Sequence, residues 1–166
     1  MPEQFYEPAS YRARDSVGYL VRRLYSILSN RIEAQFADQG LTLMQWIVLL
    51  YLRDGLAATA SDIAREFRHD SGALTRVIDQ LEQRGLLTRE RSARDRRVVE
   101  LHLTRVGRKT IDKLLPRVVG ELNAALAPLS RDEFEQFQGF LVRILDHLQA
   151  GSTTVAEEPP ARAARR

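Results

Sequence analysis

Residues 70–108 read DSGALTRVIDQLEQRGLLTRERSARDRRVVELHLTRVGR, and this stretch decides the fold. Its first part carries a stripe of apolar residues at the spacing of one helix face: Leu74, Val77, Ile78 and Leu81. Asp70 can cap the start of that helix, and Gly85 lies where a glycine commonly ends one. We therefore predict a short helix with an apolar inner face and a polar outer face.

The hydrophobic period changes from helical to two residues in the second part of this stretch. Apolar and polar side chains alternate over residues 99–103, which is typical of a half-buried strand. Residues 87–91 can pair with it antiparallel, which leaves residues 92–96 as an exposed hairpin tip. Residues 88–97 carry five arginines against two acids, a net +3 that equals the net charge of the whole chain. Such a local excess predicts a basic patch.

Helical patterns are predicted before this stretch, over about residues 16–36, 43–53 and 60–67. The second and third begin at capping signals, Thr42 with Gln45 and Thr59 with Asp62. A tight turn over residues 68–70 then joins the third helix to the one described above, which predicts a helix-turn-helix.

Two longer helices are predicted after the hairpin. Thr104 can cap the first of them, and we expect Pro116 to kink it. Ser130 with Glu133 forms a capping box for the second. We therefore predict one mostly α domain with a small β-hairpin over residues 1–150, and a disordered tail over residues 151–166.

The composition excludes several classes of protein. The chain has 166 residues and no cysteine, so it forms no disulfide, thiolate metal site or thiol redox switch. The longest apolar run is the seven residues 46–52, far short of the ~20 that span a bilayer. The first residues do not show the basic-then-apolar pattern of a signal peptide, so we expect none. We expect a cytoplasmic protein that does not enter the membrane.

No pattern in the sequence indicates catalysis. The motifs GxSxG, HExxH and GxGxxG are absent. His69, His102 and His147 share no spacing of metal ligands. We expect no enzymatic activity, no bound metal and no cofactor.

A helix-turn-helix followed by a basic hairpin suits duplex DNA, because a helix fits the major groove and its first residues reach base edges. The apolar stripe leaves five candidates on the outer face: Ser71, Gly72, Thr75, Arg76 and Gln80. Asp79 shares this face. An acid there repels phosphate, so we expect Asp79 to pair with a neighbouring arginine.

The hairpin tip supplies four further candidates: Arg94, Asp95, Arg96 and Arg97. Arginine suits the narrow, electronegative minor groove of A·T-rich DNA. We expect Asp95 to orient an arginine by a charge-assisted hydrogen bond. Arg97 is the expected partner, because residues two apart share a strand face.

These motifs resemble those of the MarR family of bacterial transcriptional regulators. The resemblance rests on the runs DSGALTR (70–76), LEQRGL (81–86), RDRR (94–97) and LTRVGR (103–108), and extends over about residues 16–149. It implies a winged helix-turn-helix over residues 41–110 and a homodimer formed by helices over residues 16–38 and 111–149. It also implies a repressor in the nucleoid that binds a pseudo-palindromic operator. The apolar surplus of the last two helices favours such an interface independently, with a core within one chain as the alternative.

The resemblance further implies that a small, commonly aromatic, acid releases the protein from DNA. Arg22, Tyr25 and Ser29 lie along one side of the first helix, and Trp46 lies in the second. An arginine beside aromatic rings suits a planar carboxylate, but the favoured alternative is that Tyr25 and Trp46 are core residues. For the chain as a whole, the alternative is a winged helix that binds proteins or RNA without operator specificity.

Overall fold

The structure, a computed structural model, describes residues 4–67 and 71–155. The elements in these residues are α1 (Val17–Ala34), α2 (Leu43–Asp54), α3 (Ala60–Phe67), α4 (Ser71–Gln83), β1 (Leu87–Arg91), β2 (Val99–Leu103), α5 (Arg105–Leu126) and α6 (Arg131–Val155), with short 3-10 turns at Ala13–Asp15 and Ala37–Gln39. This order confirms the predicted class, mostly helical with one hairpin. The predicted turn over residues 68–70, with the cap at Asp70, lies outside the described residues.

The predicted capping signals form as hydrogen bonds at the helix starts. At α2, the Gln45 N–H donates to the Thr42 hydroxyl and the Thr42 N–H donates to the Gln45 side chain. At α3, the Thr59 hydroxyl and N–H both donate to the Asp62 carboxylate, and these bonds lower the pKa of Asp62. Each box satisfies amides that have no partner inside the helix.

The core lies between α2, α4, the hairpin and the first half of α5. Its largest fully buried side chains are Phe36, Trp46, Val48, Leu49, Ile63, Ile78, Leu81, Leu87, Ile111 and Leu114. The rings of Phe36 and Trp46 pack with centroids 5.2 Å apart. Leu74, Ile78 and Leu81 are buried as the stripe on α4 predicts.

The hairpin is antiparallel, with Leu87 opposite Leu103 and Arg91 opposite Val99. The segment before α3 extends the sheet, because the Leu101 N–H donates to the Ala58 carbonyl at 2.8 Å. Ser92, predicted at the exposed tip, is buried instead. Its hydroxyl accepts the Arg94 N–H, and a buried hydroxyl requires such a partner.

A close junction joins the end of α4 to the start of α5. Gly85 takes a left-handed conformation (φ 66°), and the Leu86 N–H donates back to the Leu81 carbonyl, which ends α4. The Thr104 hydroxyl donates to the Gly85 carbonyl at 2.7 Å and accepts the Gly107 N–H at 3.0 Å. One threonine thus caps α5 and ties it to the end of α4.

The chain divides into two compact units, Met1–Asn123 and Ala124–Arg166. In the first, α1 has no buried residue, and five of its large apolar side chains are exposed: Val17, Leu20, Val21, Leu24 and Ile27. In the second, α6 exposes another five: Phe140, Val142, Ile144, Leu145 and Leu148.

The last two helices form where they are predicted, but the second one ends later than predicted. α5 is one helix that contains Pro116, and the kink expected there stays a prediction. α6 continues to Val155, into the segment predicted as a disordered tail, because extending an existing helix costs less than nucleating one. Residues 156–166 lie outside the described part of the chain. No described helix is long and apolar enough to cross a membrane.

Replacement of Gly107 with alanine is expected to destabilise the protein. A Cβ at Gly107 would lie 2.0 Å from the Leu86 carbonyl oxygen, so the backbone of the junction must move. We expect the free energy of unfolding in urea to fall by about 1–3 kcal/mol, the usual effect of overpacking. Gly120→Ala is the matched control in the same helix, with open space around the new Cβ. It should be neutral or stabilising by up to about 1 kcal/mol, and equal losses in both variants would contradict the close contact.

Candidate nucleic-acid interface

The outer face of α4 carries most of the residues that the sequence predicts there. Gly72, Thr75, Arg76 and Gln80 are exposed, and Arg76 has no hydrogen-bond or ion-pair partner among the described residues. The side chain of Ser71 lies outside the described part of the structure. Arg76 and Gln80 are four residues apart, so they are neighbours on one helix face.

Arg89 connects the first strand of the hairpin to α4. Its guanidinium donates to the carboxylates of Asp79 and Glu82, and the Asp79 bond is the main cause that raises the pKa of Arg89. This pair confirms that Asp79 binds a neighbouring arginine. The two acids on α4 are thus neutralised in part. The bridge also ties α4 to the wing, which is the hairpin of β1 and β2 with the loop over residues 92–98, the wing tip.

The wing tip is built by hydrogen bonds that involve no guanidinium. The Asp95 carboxylate accepts the backbone N–H of Arg97 at 2.9 Å, and the Asp95 carbonyl accepts the N–H of Val98. The expectation that Asp95 holds an arginine side chain is therefore wrong in its chemistry, although Arg97 is the residue involved. A carboxylate that turns back on an amide two residues later is the usual geometry of an Asp-led turn.

The arginines of the wing tip are available to a ligand. Arg94, Arg96 and Arg97 are exposed, and within residues 4–67 and 71–155 their guanidinium groups have no hydrogen-bond or ion-pair partner. The same holds for Arg105 and Arg108 at the start of α5. Exposed guanidinium groups without a protein partner attract a polyanion.

Another arginine, Arg84, has a structural role that sequence reasoning missed. It follows α4, and its guanidinium donates to the backbone carbonyls of Gln39 and Gly40, at the turn before α2. In that turn, the Asp38 carboxylate pairs with Arg117 at 2.9 Å and Lys113 at 3.6 Å on α5, and Arg117 is the main cause that lowers the pKa of Asp38. Backbone carbonyls leave no mark in a sequence, so no residue pattern predicted this role of Arg84.

Gln45 is a second structural residue that touches the candidate interface. It is 4% exposed, and its side-chain nitrogen donates to the side-chain oxygen of Gln80 at 2.9 Å. The capping box predicts the role of Gln45 at the start of α2. Its contact with the outer face of α4 depends on helix packing and was not predicted.

The four residues predicted to hold a ligand differ in burial, and one of them lines a groove on α1. Trp46 is 2% exposed and packs on Phe36 in the core, whereas Tyr25 is 64% exposed. Arg22 lines an open groove on α1 with Tyr19, Arg23, Ser26 and Ile27. Tyr25, Ser29 and Trp46 do not line that groove. The groove on α1 therefore holds one of the four residues, and the predicted site with an aromatic wall stays a prediction.

The described residues contain no cluster of three or more potential metal ligands. His102 lies 3.5 Å from the carboxylate of Glu100 on the same strand, and His147 lies on α6. His69 lies outside the described part of the chain.

Comparison with known proteins identifies relatives over most of the chain. A family profile described as MarR family matches residues 39–98. The organic hydroperoxide resistance transcriptional regulator of Bacillus subtilis is 31% identical over 109 residues, which cover 66% of this chain and 73% of that protein. The HTH-type transcriptional regulator MhqR of Bacillus subtilis is 27% identical over 125 residues, 75% of this chain and 86% of that protein.

A solved structure of BpsR from Bordetella bronchiseptica is also similar. It superposes with a TM-score of 0.73 at 28% identity, over 82% of this chain and 97% of BpsR. That structure concerns the regulation of BpsR's DNA binding by 6-hydroxynicotinic acid.

Removal of the guanidinium of Arg89 is expected to weaken the contact between the wing and α4. Arg89→Met leaves Asp79 and Glu82 as unpaired like charges one turn apart, and we expect about 1 kcal/mol less free energy of unfolding in urea. Arg91→Met is the matched control, because Arg91 lies on the same strand, is exposed and has no ion pair among the described residues. An equal loss in the two variants would argue against the bridge.

Proposed function

Because the chain belongs to the MarR family of transcriptional regulators, we propose that it is a repressor that binds a pseudo-palindromic operator in double-stranded DNA. In this proposal α4 enters the major groove, and the wing tip contacts the flanking backbone or minor groove. The protein has no catalytic role, metal or cofactor. It acts in the bacterial cytoplasm, on the nucleoid.

The observation that carries this proposal is the set of unpaired arginines on α4 and the wing. Arg89 pairs with Asp79 and Glu82, and Arg84 donates to two backbone carbonyls. Four other arginines have no partner for their guanidinium groups among the described residues, and can therefore bind phosphate or base edges: Arg76, Arg94, Arg96 and Arg97. If these guanidinium groups were buried in the protein, acidic partners would be required to offset the cost of burying their charge.

A homodimer is the second part of the proposal. The exposed apolar side chains of α1 and those of α6 each form a surface that water solvates poorly, which favours burial against a second copy. A two-fold axis would then place two α4 helices ~34 Å apart, one turn of the duplex, so the half-sites form an inverted repeat.

We also propose that a small aromatic acid releases the protein from its operator. Support comes from BpsR, whose DNA binding is regulated by 6-hydroxynicotinic acid. In this chain, Arg22 and Arg23 supply positive charge to the groove on α1, with Tyr19 and Ile27 as its less polar lining. A planar carboxylate matches that combination of a cation and an aromatic ring.

A winged helix that binds RNA or protein is the alternative function. The deep, narrow major groove of A-form RNA would not admit α4. Equal affinity for duplex RNA and for the best duplex DNA would therefore favour the alternative.

The DNA proposal is tested with the best duplex selected from a random library, by fluorescence anisotropy at several salt concentrations. We expect the protein to prefer that duplex over a scrambled one by about 10³-fold or more. Arg97→Ala should weaken binding and make the slope of log K against log salt shallower by about 2 per dimer, close to 0.9 for each lost phosphate contact.

Arg131→Ala is the control for this experiment, because the Arg131 guanidinium pairs with Glu135 on α6. Its salt slope should equal that of the parent protein. Binding without preference over the scrambled duplex would refute the operator, and an unchanged slope in Arg97→Ala would remove the wing from the DNA contact.

The effector proposal is tested with a panel of aromatic carboxylic acids that includes 6-hydroxynicotinic acid. An effector is expected to raise the melting temperature and to lower affinity for the selected duplex about 5- to 150-fold. Arg22→Ala should abolish both responses and Arg12→Ala, on the segment before α1, should keep them. If no acid in the panel changes DNA affinity, regulation by this class of ligand is wrong.

A further inference from the structure

The contact between Gln45 and Gln80 links a buried residue to the outer face of α4. Gln45 is almost wholly buried at the first turn of α2, and its side chain makes hydrogen bonds at both ends. The side-chain oxygen accepts the Thr42 N–H at 3.1 Å, and the side-chain nitrogen donates to the oxygen of Gln80 at 2.9 Å. No buried side-chain polar atom lacks a partner among the described residues.

The direction of every hydrogen bond in this chain of contacts follows from one backbone amide. A backbone N–H can only donate, so the group that Gln45 turns toward Thr42 must be its oxygen. The Gln45 nitrogen then faces Gln80, and because it too can only donate, it binds the Gln80 oxygen. The Gln80 oxygen therefore points inward, and its NH₂ group points away from Gln45.

We propose that Gln45 is a positioning residue that orients the Gln80 amide so that Gln80 presents only N–H donors to DNA. This inference rests on the proposed DNA-binding function. Gln80 lies one turn after Arg76 on the exposed face of α4, which is the face assigned to the major groove. The chemical partner is a hydrogen-bond acceptor: a phosphate oxygen, or N7 or O6 of guanine.

The fixed orientation excludes the common contact of a glutamine with adenine. That bidentate contact needs the side-chain oxygen to accept from N6 and the side-chain nitrogen to donate to N7. Here the oxygen of Gln80 is held by Gln45 on the inner side. In this proposal Gln80 therefore selects a hydrogen-bond acceptor and does not recognise adenine.

The test reverses the Gln80 amide from the buried side. In Gln45→Glu, one carboxylate oxygen still accepts the Thr42 N–H, since glutamate also serves in a capping box. The other oxygen faces Gln80 and accepts from its nitrogen, so the Gln80 oxygen turns outward. We expect affinity for the selected duplex to fall about five- to tenfold, because the hydrogen bond that Gln80 donates in each half-site is lost.

Gln80→Ala is the background that separates positioning from general destabilisation. With no amide to reverse, Gln45→Glu should not reduce DNA affinity further in Gln80→Ala, whereas a merely structural role would reduce it equally in both backgrounds. Melting curves of all four proteins confirm that each is folded at the assay temperature. Equal losses in the two backgrounds would overturn the proposal.

A second measurement needs no change at Gln45 and identifies the acceptor. The selected duplex is scanned with single methylphosphonates, with 7-deazaguanine or 6-thioguanine in place of guanine, and with purine in place of adenine. At one position the substitution should weaken binding by the parent protein and leave Gln80→Ala unaffected; a methylphosphonate would identify phosphate, and a guanine analogue would identify the base.

Two outcomes of the scan overturn the proposal while the proposed function stands. One is that no substitution distinguishes the two proteins although the parent still prefers the selected duplex. The other is that removal of an adenine N6 amino group distinguishes them, which would require an outward oxygen. If the parent protein selects no duplex at all, the proposed function and this inference fall together.

Discussion

The rest of the structure depends on the approach of two backbone segments, at Gly85–Leu86 and Thr104–Gly107. Thr104 donates to the Gly85 carbonyl and caps α5 with the same hydroxyl, while Gly107 leaves room for the Leu86 carbonyl. The two segments flank the hairpin, so this junction sets where the wing begins and ends relative to α4. It also gives a physical reason for two of the four runs that resemble the MarR family, 81–86 and 103–108: they are the two halves of one contact.

The sequence predicted the elements and most of their roles where the signal is local. Helical and two-residue periods located α4 and β2, and capping boxes located the starts of α2, α3 and α6. The pairing of Asp79 was also predictable, since an acid on a basic surface needs a cation close by. These features depend on neighbours in the chain or on one simple electrostatic requirement.

The failed predictions concern contacts between elements distant in the chain. Periodicity did not show that Trp46 is buried in the core while Tyr25 is exposed. The roles of Arg84 and Gln45 depend on backbone carbonyls and on an amide in another helix, which no residue pattern records. Composition counted Arg84 and Arg89 with the free arginines, although both have partners within the fold. Charge therefore predicted the basic surface, but only the structure distinguishes the arginines that are paired within the fold from those that are available to a ligand.

The wing tip has a consequence for conformational entropy. Its backbone is held by Ser92 and by both the carboxylate and the carbonyl of Asp95, and none of these bonds uses an arginine side chain. The loop is therefore ordered when the chain folds, before any contact with a duplex. In the proposed complex, binding would then restrict only side-chain rotamers, roughly 0.5–1.5 kcal/mol for each immobilised arginine, and not the loop backbone as well. An acid within a basic loop thus favours the binding of an anion in spite of its own charge, because it orders the loop in advance and lowers the entropic cost of binding.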